Sequence, residues 1–188
     1  MRALVVYESM YGNTAAVAEE IAAALRADGM DAVAGPVSAV DPEDAAGVEL
    51  LVAGGPTHVH GMSRSSTRKT AASDEANTYP APTREPGLRE WLDEVPPGDG
   101  RRAAAFDTRI DKPAVITGSA AKGIGRRLER RGFRLPVRPE SFFVTMQNKL
   151  TAGELARAAA WGTALAQRLG ARDPAVATDT RVTVPAGS

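Results

Sequence analysis

Six consecutive residues near the N-terminus have the composition of a phosphate-binding turn: Ser9, Met10, Tyr11, Gly12, Asn13 and Thr14. The apolar run at 3–7 predicts a buried strand before them, and apolar residues at helical spacing in 14–25 predict a helix after them. Backbone N–H groups at such a helix start lack intrahelical acceptors, and the helix dipole adds partial positive charge there. We therefore expect a phosphate cradle, to which Ser9, Asn13 and Thr14 add side-chain donors and Gly12 adds close backbone approach.

The residues of this turn also indicate which kind of phosphate it holds. It contains no lysine, so it is not the G-x-x-x-x-G-K-[ST] loop of nucleotide-binding proteins, and its single glycine excludes the dinucleotide fingerprint G-x-G-x-x-G. A turn rich in hydroxyl groups and without a cation suits a phosphate monoester. The plainer alternative is an ordinary capped helix after a strand. That alternative requires only one capping residue, whereas four of these six positions are polar or glycine.

The run Tyr7-Glu8-Ser9-Met10-Tyr11-Gly12-Asn13-Thr14 resembles the FMN-phosphate loop of the flavodoxin family. The resemblance extends over about residues 1–170 and implies FMN as the cofactor. It also implies two loops beside the isoalloxazine ring. The first loop is Pro56, Thr57, His58, Val59, His60 and Gly61. The second is Asp107, Thr108, Arg109, Ile110 and Asp111.

The rest of the chain alternates between strand and helix patterns. Further strands are predicted at 32–37, 49–54, 102–106 and 137–145, and the later helices at 88–95, 119–131 and from Thr151, where Glu154 completes a capping box. Five βα units predict an α/β fold with a five-stranded, doubly wound parallel sheet in the flavodoxin-like order 2-1-3-4-5. The ligand of such a sheet binds at the carboxyl ends of strands 1 and 3.

Two segments have no regular pattern. Residues 62–86 are predicted to form a long, mobile surface loop that covers the flavin face. Residues 171–188 are predicted to be a flexible tail, so the domain is expected to span 1–170.

Composition limits the function further. The 23 basic and 23 acidic residues balance, but residues 1–50 hold two basic and nine acidic side chains, whereas 101–150 hold twelve and four. We interpret this as two oppositely charged solvated faces. The alternative is that the arginines near 126–131 form a surface that binds an acidic partner.

Because the chain has no cysteine, disulfides, cysteine-ligated clusters and thiol catalysis are excluded. The N-terminal apolar run is too short for a signal or membrane segment, so we expect a cytoplasmic protein.

Two other kinds of site are weaker hypotheses. His58 and His60 could ligate a metal ion, but they are the only histidines and no cysteine accompanies them. Ser9, His58 and Asp107 could form a hydrolytic triad, but the chain lacks the G-x-S-x-G elbow.

The sequence therefore predicts an FMN-binding redox protein, and three functions remain open. It is an electron carrier for a redox partner protein, a reductase or oxidase of a small molecule such as a quinone or porphyrinogen, or a binding protein that has lost the flavin. The balanced charge and the absence of an aromatic residue in the second loop depart from typical flavodoxin carriers. The chain is more similar to divergent flavodoxin-like proteins of high-GC bacteria, some related to menaquinone-dependent protoporphyrinogen oxidase. No nucleic acid and no membrane insertion are expected, and the sequence does not define the oligomeric state.

Overall fold

The computed structural model describes residues 1–58, 61–63, 79, 87–112 and 118–170. The strands are β1 (Arg2–Tyr7), β2 (Asp31–Pro36), β3 (Leu50–His58), β4 (Gly61–Met62), β5 (Arg102–Ile110) and β6 (Glu140–Val144). The helices are α1 (Asn13–Ala27), α2 (Leu88–Glu94), α3 (Ala120–Arg130) and α4 (Glu154–Gly170), with a 3₁₀ helix at Pro42–Gly47. No helix in these ranges is long and apolar enough to cross a membrane.

The strands form one sheet in the order β2-β1-β3-β5-β6, in which all neighbours are parallel. This confirms the predicted order 2-1-3-4-5, because β5 and β6 are the fourth and fifth strands of the sequence prediction. The short β4 is an additional strand that pairs antiparallel with the end of β3, through Thr57↔Met62 and His58↔Gly61. A strand of two residues is too short to produce a periodic pattern, so β4 could not be predicted from the sequence.

Two apolar layers cover the faces of the sheet. Along β1, Val5 faces the layer formed with α1 and α4, whereas its neighbours Leu4 and Val6 face the layer formed with α2 and α3. This alternation follows from the period of two along a strand. The two tryptophans belong to these layers. Trp91 is fully buried and donates from Nε1 to the Val40 carbonyl at 2.8 Å. Trp161 packs edge-on against Phe106 and Phe142.

Two strands are longer than predicted, and this changes the setting of the predicted flavin loops. Pro56 and Thr57 lie within β3, and Asp107, Thr108 and Arg109 lie within β5. The backbone ladder continues because Pro56 pairs with Thr108 and the end of β5 pairs along β6. The prediction that both segments are loops from Pro56 and Asp107 onward is therefore wrong.

The capping box predicted at the start of the last helix is also wrong. α4 begins at Glu154, whose carboxylate accepts a hydrogen bond from the Phe143 N–H of β6 at 2.7 Å and pairs with Arg157 at 2.7 Å. The Thr151 N–H instead donates to the Phe143 carbonyl at 3.0 Å. Arg157 also donates to the Ser141 carbonyl. Glu154 and Arg157 thus occupy backbone groups of β6, a terminal strand of the sheet that would otherwise expose them for pairing with another chain.

Several predictions fall on residues outside the described ranges. Of the loop predicted at 62–86, only Met62, Ser63 and Tyr79 are described, and Met62 belongs to β4. The predicted tail at 171–188, the residues Val59 and His60, and the side chain of His58 are outside the described part.

Candidate functional site

The turn between β1 and α1 leaves the start of the helix uncapped by any side chain. Gly12 is the N-cap residue, with φ +82°, and its carbonyl accepts the first intrahelical hydrogen bond from Ala16 N–H at 3.0 Å. The N–H groups of Asn13, Thr14 and Ala15 precede that bond. A serine, threonine or aspartate at the N-cap would satisfy one of these donors with its own side chain. Glycine leaves them to a ligand.

Ser9 supplies a second, independent sign of a ligand in the same turn. Its side chain is only 4% exposed, and its Oγ has no hydrogen-bond partner among the described residues. Buried hydroxyl groups in proteins are nearly always hydrogen-bonded, because an unpaired one loses its contacts with water without replacement. A ligand with several acceptor oxygens would satisfy both Ser9 and the helix amides. The donor set of this turn therefore fits a phosphate group.

The Tyr79 ring packs over Gly12 and limits the space for a side chain at that position. A Cβ atom built on Gly12 would lie 3.0 Å from Cδ2 of the Tyr79 ring. The Tyr79 side chain also hydrogen-bonds to that of Tyr7, at the end of β1. Burial raises the pKa of the Tyr7 phenol above its ordinary value, and the neighbouring Tyr79 raises it further. Gly12 is thus required both for its left-handed backbone and for the space beneath the Tyr79 ring.

The other two predicted phosphate donors already have protein partners. Thr14 Oγ1 and Thr108 Oγ1 are 2.8 Å apart and buried, and Asn13 Nδ2 donates to the Asn148 carbonyl at 2.8 Å. In the threonine pair only one hydroxyl donates to the other, so the accepting one keeps its own proton for a further partner. These bonds fasten the turn to β5 and to the turn after β6. Thr14 and Asn13 therefore position the cradle in addition to any contact with a ligand.

A cavity of about 120 Å³ opens where these elements meet. Its walls are formed by Met10, Tyr11, Asn13, Thr14, Pro56, Thr57, Thr108, Arg109, Ile110, Val144 and Asn148. The structure thus brings together the cradle turn and the ends of β3 and β5. These are the ends of the first, third and fourth strands of the sequence prediction, which were expected to meet. The predicted site residues Ser9, Gly12, Gly61 and Asp107 do not line this cavity.

Two residues of the cavity were not predicted, Val144 and Asn148, whereas Ile110 belongs to the segment that was predicted to flank the ring. Val144 ends β6, and Asn148 lies in the turn that follows, with φ +54°. The carboxyl ends of parallel strands share one edge of the sheet, so the segment after the last predicted strand was the available signal. Glu8 was also missed. It is buried beside the cradle, where its carboxylate accepts hydrogen bonds from the Leu88 N–H at 2.8 Å and from the Ser63 hydroxyl.

Arg109 brings a positive charge to the wall of the cavity. Its guanidinium group donates to the Lys112 carbonyl and lies 4.9 Å from the centroid of the Phe143 ring. A cation over an aromatic face is attracted by the ring's negative quadrupole. These two contacts hold the charged group beside the cavity.

Asp107 lies behind the cavity wall and organises it. This carboxylate is fully buried, and its Oδ2 accepts hydrogen bonds from the Thr57 hydroxyl at 2.9 Å, the Ser119 hydroxyl at 2.8 Å and the Ala121 N–H at 2.8 Å. Ala120 N–H in turn donates to the Thr57 hydroxyl at 2.8 Å. The carboxylate therefore ties the end of β3 to β5 and to the start of α3, where its negative charge is favoured by the helix dipole.

The structure does not test the two weaker hypotheses from the sequence directly, because both depend on the His58 side chain, which is not described. Within the described ranges, no group of three or more histidine, aspartate or glutamate side chains is arranged to hold a metal ion.

Comparison with known proteins agrees with this architecture. The flavodoxin family model matches residues 5–96, which include the cradle and β3. The fold is similar to that of an archaeal flavodoxin, with a TM-score of 0.64 and 20% identity, over 90% of this chain and 99% of that one. Flavodoxin 2 from Bacillus cereus gives a TM-score of 0.65 and 18% identity, over 89% and 99% of the two chains. No curated protein matches the chain.

A third similar structure belongs to a longer protein. The rubredoxin oxygen:oxidoreductase of Desulfovibrio gigas gives a TM-score of 0.64 and 18% identity, and 90% of this chain covers 36% of that one. At these identities the structural likenesses establish the fold alone.

An open, doubly wound α/β sheet with a glycine-capped helix start at its first strand-to-helix turn defines the class of this protein. More particularly, residues 5–96 match the flavodoxin family model, and the fold is similar to that of solved flavodoxins. The match agrees with the predicted FMN cofactor and redox function.

Proposed function

We propose that this chain binds FMN with its phosphate in the turn from Ser9 to Thr14 and its ring toward the ends of β3 and β5, and that it transfers electrons. The observation that carries the proposal is the glycine-capped start of α1 beside the unpaired hydroxyl of Ser9. Both features lie where β1 and β3 diverge, within the segment that the flavodoxin family model matches.

FMN, when bound, supplies the redox chemistry, and the protein supplies binding, orientation and electrostatics. The N–H groups of Asn13, Thr14 and Ala15 and the Ser9 hydroxyl would hold the phosphate oxygens. The hydroxyl pair of Thr14 and Thr108 fixes the cradle relative to β5.

The cavity walls beyond the cradle limit the access of water and set the charge near the bound cofactor. Met10, Ile110 and Val144 give the cavity apolar surface. Arg109 favours an increase in negative charge beside it, whereas the carboxylate of Asp107 is turned toward the start of α3.

Titration of the purified apoprotein with FMN, riboflavin and FAD tests the proposal. We expect FMN to bind more tightly than riboflavin, because only FMN engages the cradle, and more tightly than FAD, because no adenosine-side fingerprint is present. Equal affinities for FMN and riboflavin would contradict a phosphate role for the turn.

A more specific proposal is that the chain is related to protoporphyrinogen oxidase-type flavodoxin domains. It rests on the balanced charge and on the absence of an aromatic residue in the second loop, which depart from typical flavodoxin carriers. It predicts that the FMN-loaded protein oxidises or reduces a small molecule without a protein partner. Oxidation of NAD(P)H with an added quinone, and oxidation of a porphyrinogen, are the two assays. Turnover in either assay identifies an enzyme, and electron delivery only to another redox protein identifies a carrier.

A further inference from the structure

A second and larger groove, of about 570 Å³, lies away from the cradle. It is bounded by α3, by residues 135–139 before β6, and by the last turn of α4. It shares no lining residue with the cavity at the cradle. A ligand in this groove would therefore leave the proposed cofactor site accessible.

The rim of this groove is strongly basic. Lys122, Arg126, Arg138 and Arg168 are all exposed, and Glu129 is the only acidic residue among the described residues that line the groove. None of the four cations forms an ion pair within the described part of the chain, although Arg127, also on α3, lies 3.8 Å from Asp93. Like charges that gather without counter-charges create a positive potential, which attracts anionic partners.

The described residues that line the groove lack the fixed donors that a compact phosphate requires. The N–H groups of Ala120, Ala121 and Lys122 at the start of α3 are bonded to Thr57, Asp107 and Ser119, respectively. Two of the five positions from 135 to 139 are prolines, which have no N–H group. The charges therefore sit on long, exposed stems. Such stems suit carboxylates spaced along a polypeptide better than one small anion bound by converging amides.

The floor of the groove adds apolar contact. Leu135 and Val137 are half-buried between the basic side chains. The volume of the groove is enough for several side chains of a partner. A hydrophobic floor inside a charged rim is the usual composition of a protein-binding surface.

We infer that this groove docks a carboxylate-rich segment of a partner protein, whose apolar side chains lie against Leu135 and Val137. The inference goes beyond the proposed function, because it requires neither FMN nor electron transfer. It involves only some of the arginines near 126–131 that were considered from the sequence as a surface for an acidic partner. Arg126 lines the groove, whereas Arg130 and Arg131 lie outside it.

Fluorescence anisotropy with a short labelled peptide of glutamates interspersed with leucines tests the inference. Arg126→Glu is compared with Arg130→Glu, an exposed arginine one turn along the same helix that does not line the groove. At physiological salt we expect Arg126→Glu to weaken peptide binding about tenfold and Arg130→Glu about twofold or less. Arg138→Glu, on the opposite wall, is expected to behave like Arg126→Glu.

Amide NMR spectra of the full chain locate the bound peptide and show that each variant is folded. Shifts at Gly125, Leu135 and Val137, with none at Gly12 and Asn13, support the inference. No peptide binding, equal losses in Arg126→Glu and Arg130→Glu, or shifts centred on the cradle would overturn it. Tighter binding of inorganic tripolyphosphate than of the peptide would also overturn it, in favour of a compact anion site. FMN affinity is expected to be unchanged in all three variants, so failure of this inference is distinguishable from failure of the proposed function.

Discussion

Replacement of Gly12 by alanine is the sharpest test of the cradle. Gly12 has φ +82°, a left-handed conformation that costs a residue with a Cβ atom about 1–2 kcal/mol. The new Cβ would also lie 3.0 Å from the Tyr79 ring, closer than ordinary van der Waals contact. The turn is expected to relieve this strain by rotating, which misaligns the N–H groups of Asn13, Thr14 and Ala15. Loss of one hydrogen bond to a charged group corresponds to about 1.5–3 kcal/mol, or about 10- to 150-fold in FMN affinity.

Gly29→Ala is the matched control. Gly29 has φ +83°, but no atom lies within 4 Å of a Cβ built there, and it follows the far end of α1. Both substitutions carry a similar left-handed backbone cost of about 1–2 kcal/mol. Because Gly12→Ala adds the contact with Tyr79, we expect it to lower the free energy of unfolding of the apoprotein at least as much as Gly29→Ala. Only Gly12→Ala is expected to weaken FMN binding.

Isothermal titration with FMN and riboflavin, together with urea unfolding of the apoproteins, measures these quantities. Riboflavin lacks the phosphate, so its affinity is expected to change little in either variant. The reasoning is refuted if Gly12→Ala binds FMN as tightly as the wild type despite its lower stability. It is also refuted if riboflavin loses as much affinity as FMN, since the turn would then contact another part of the cofactor.

Three further substitutions test the surroundings of the cradle. Ser9→Ala is expected to weaken FMN binding by about 1.5–3 kcal/mol without destabilising the apoprotein, because the hydroxyl has no partner within the described residues; loss of apoprotein stability in urea would contradict this. Asp107→Ala is expected to lower the free energy of unfolding by about 2–4 kcal/mol, because three donors lose their acceptor. Asp107→Asn should cost less, since its amide oxygen can still accept two of these bonds; equal losses of unfolding free energy in urea would show that the negative charge is what matters. Arg109→Ala is expected to lower the FMN midpoint potential by several tens of millivolts in spectroelectrochemistry, and less at high salt, as estimated for a unit charge about 8 Å away at an effective dielectric of about 20. An unchanged or raised potential would show that Arg109 does not act on the cofactor.

The order of the sheet and the position of the cradle were predictable from the sequence, because both depend on local patterns. The apolar run before Ser9 and the helical spacing after Thr14 place the turn at the end of β1. Alternation of strand and helix then leaves few topologies, since parallel connections are right-handed and short. Gly12 does adopt a left-handed φ, whereas its predicted role in close approach of a ligand stays a prediction.

Contacts between distant segments were not predictable. The bond between Thr14 and Thr108 joins residues 94 positions apart, and that between Asn13 and Asn148 joins residues 135 positions apart. Similarly, Glu154 has the spacing of a capping residue but bonds to β6 instead. A carboxylate at such a position has two possible partners, and only the packing of α4 against the sheet decides between them.

The length of β5 explains how the end of one strand contacts α1 on one face of the sheet and α3 on the other. Had β5 ended before Asp107, as the sequence indicated, Asp107 and Thr108 would lie in a loop, and the directions of their side chains would not be fixed relative to each other. Because the ladder continues to Ile110, consecutive side chains point to opposite faces of the sheet. Thr108 therefore reaches Thr14 on the α1 side, and Asp107 reaches Ala121 at the start of α3 on the other. The same ladder places Arg109 opposite Phe143, the ring on which its guanidinium group lies. Backbone pairing with β6 thus separates Thr108 from Asp107, and it carries Thr108, Arg109 and Ile110 to the cavity at the end of the strand.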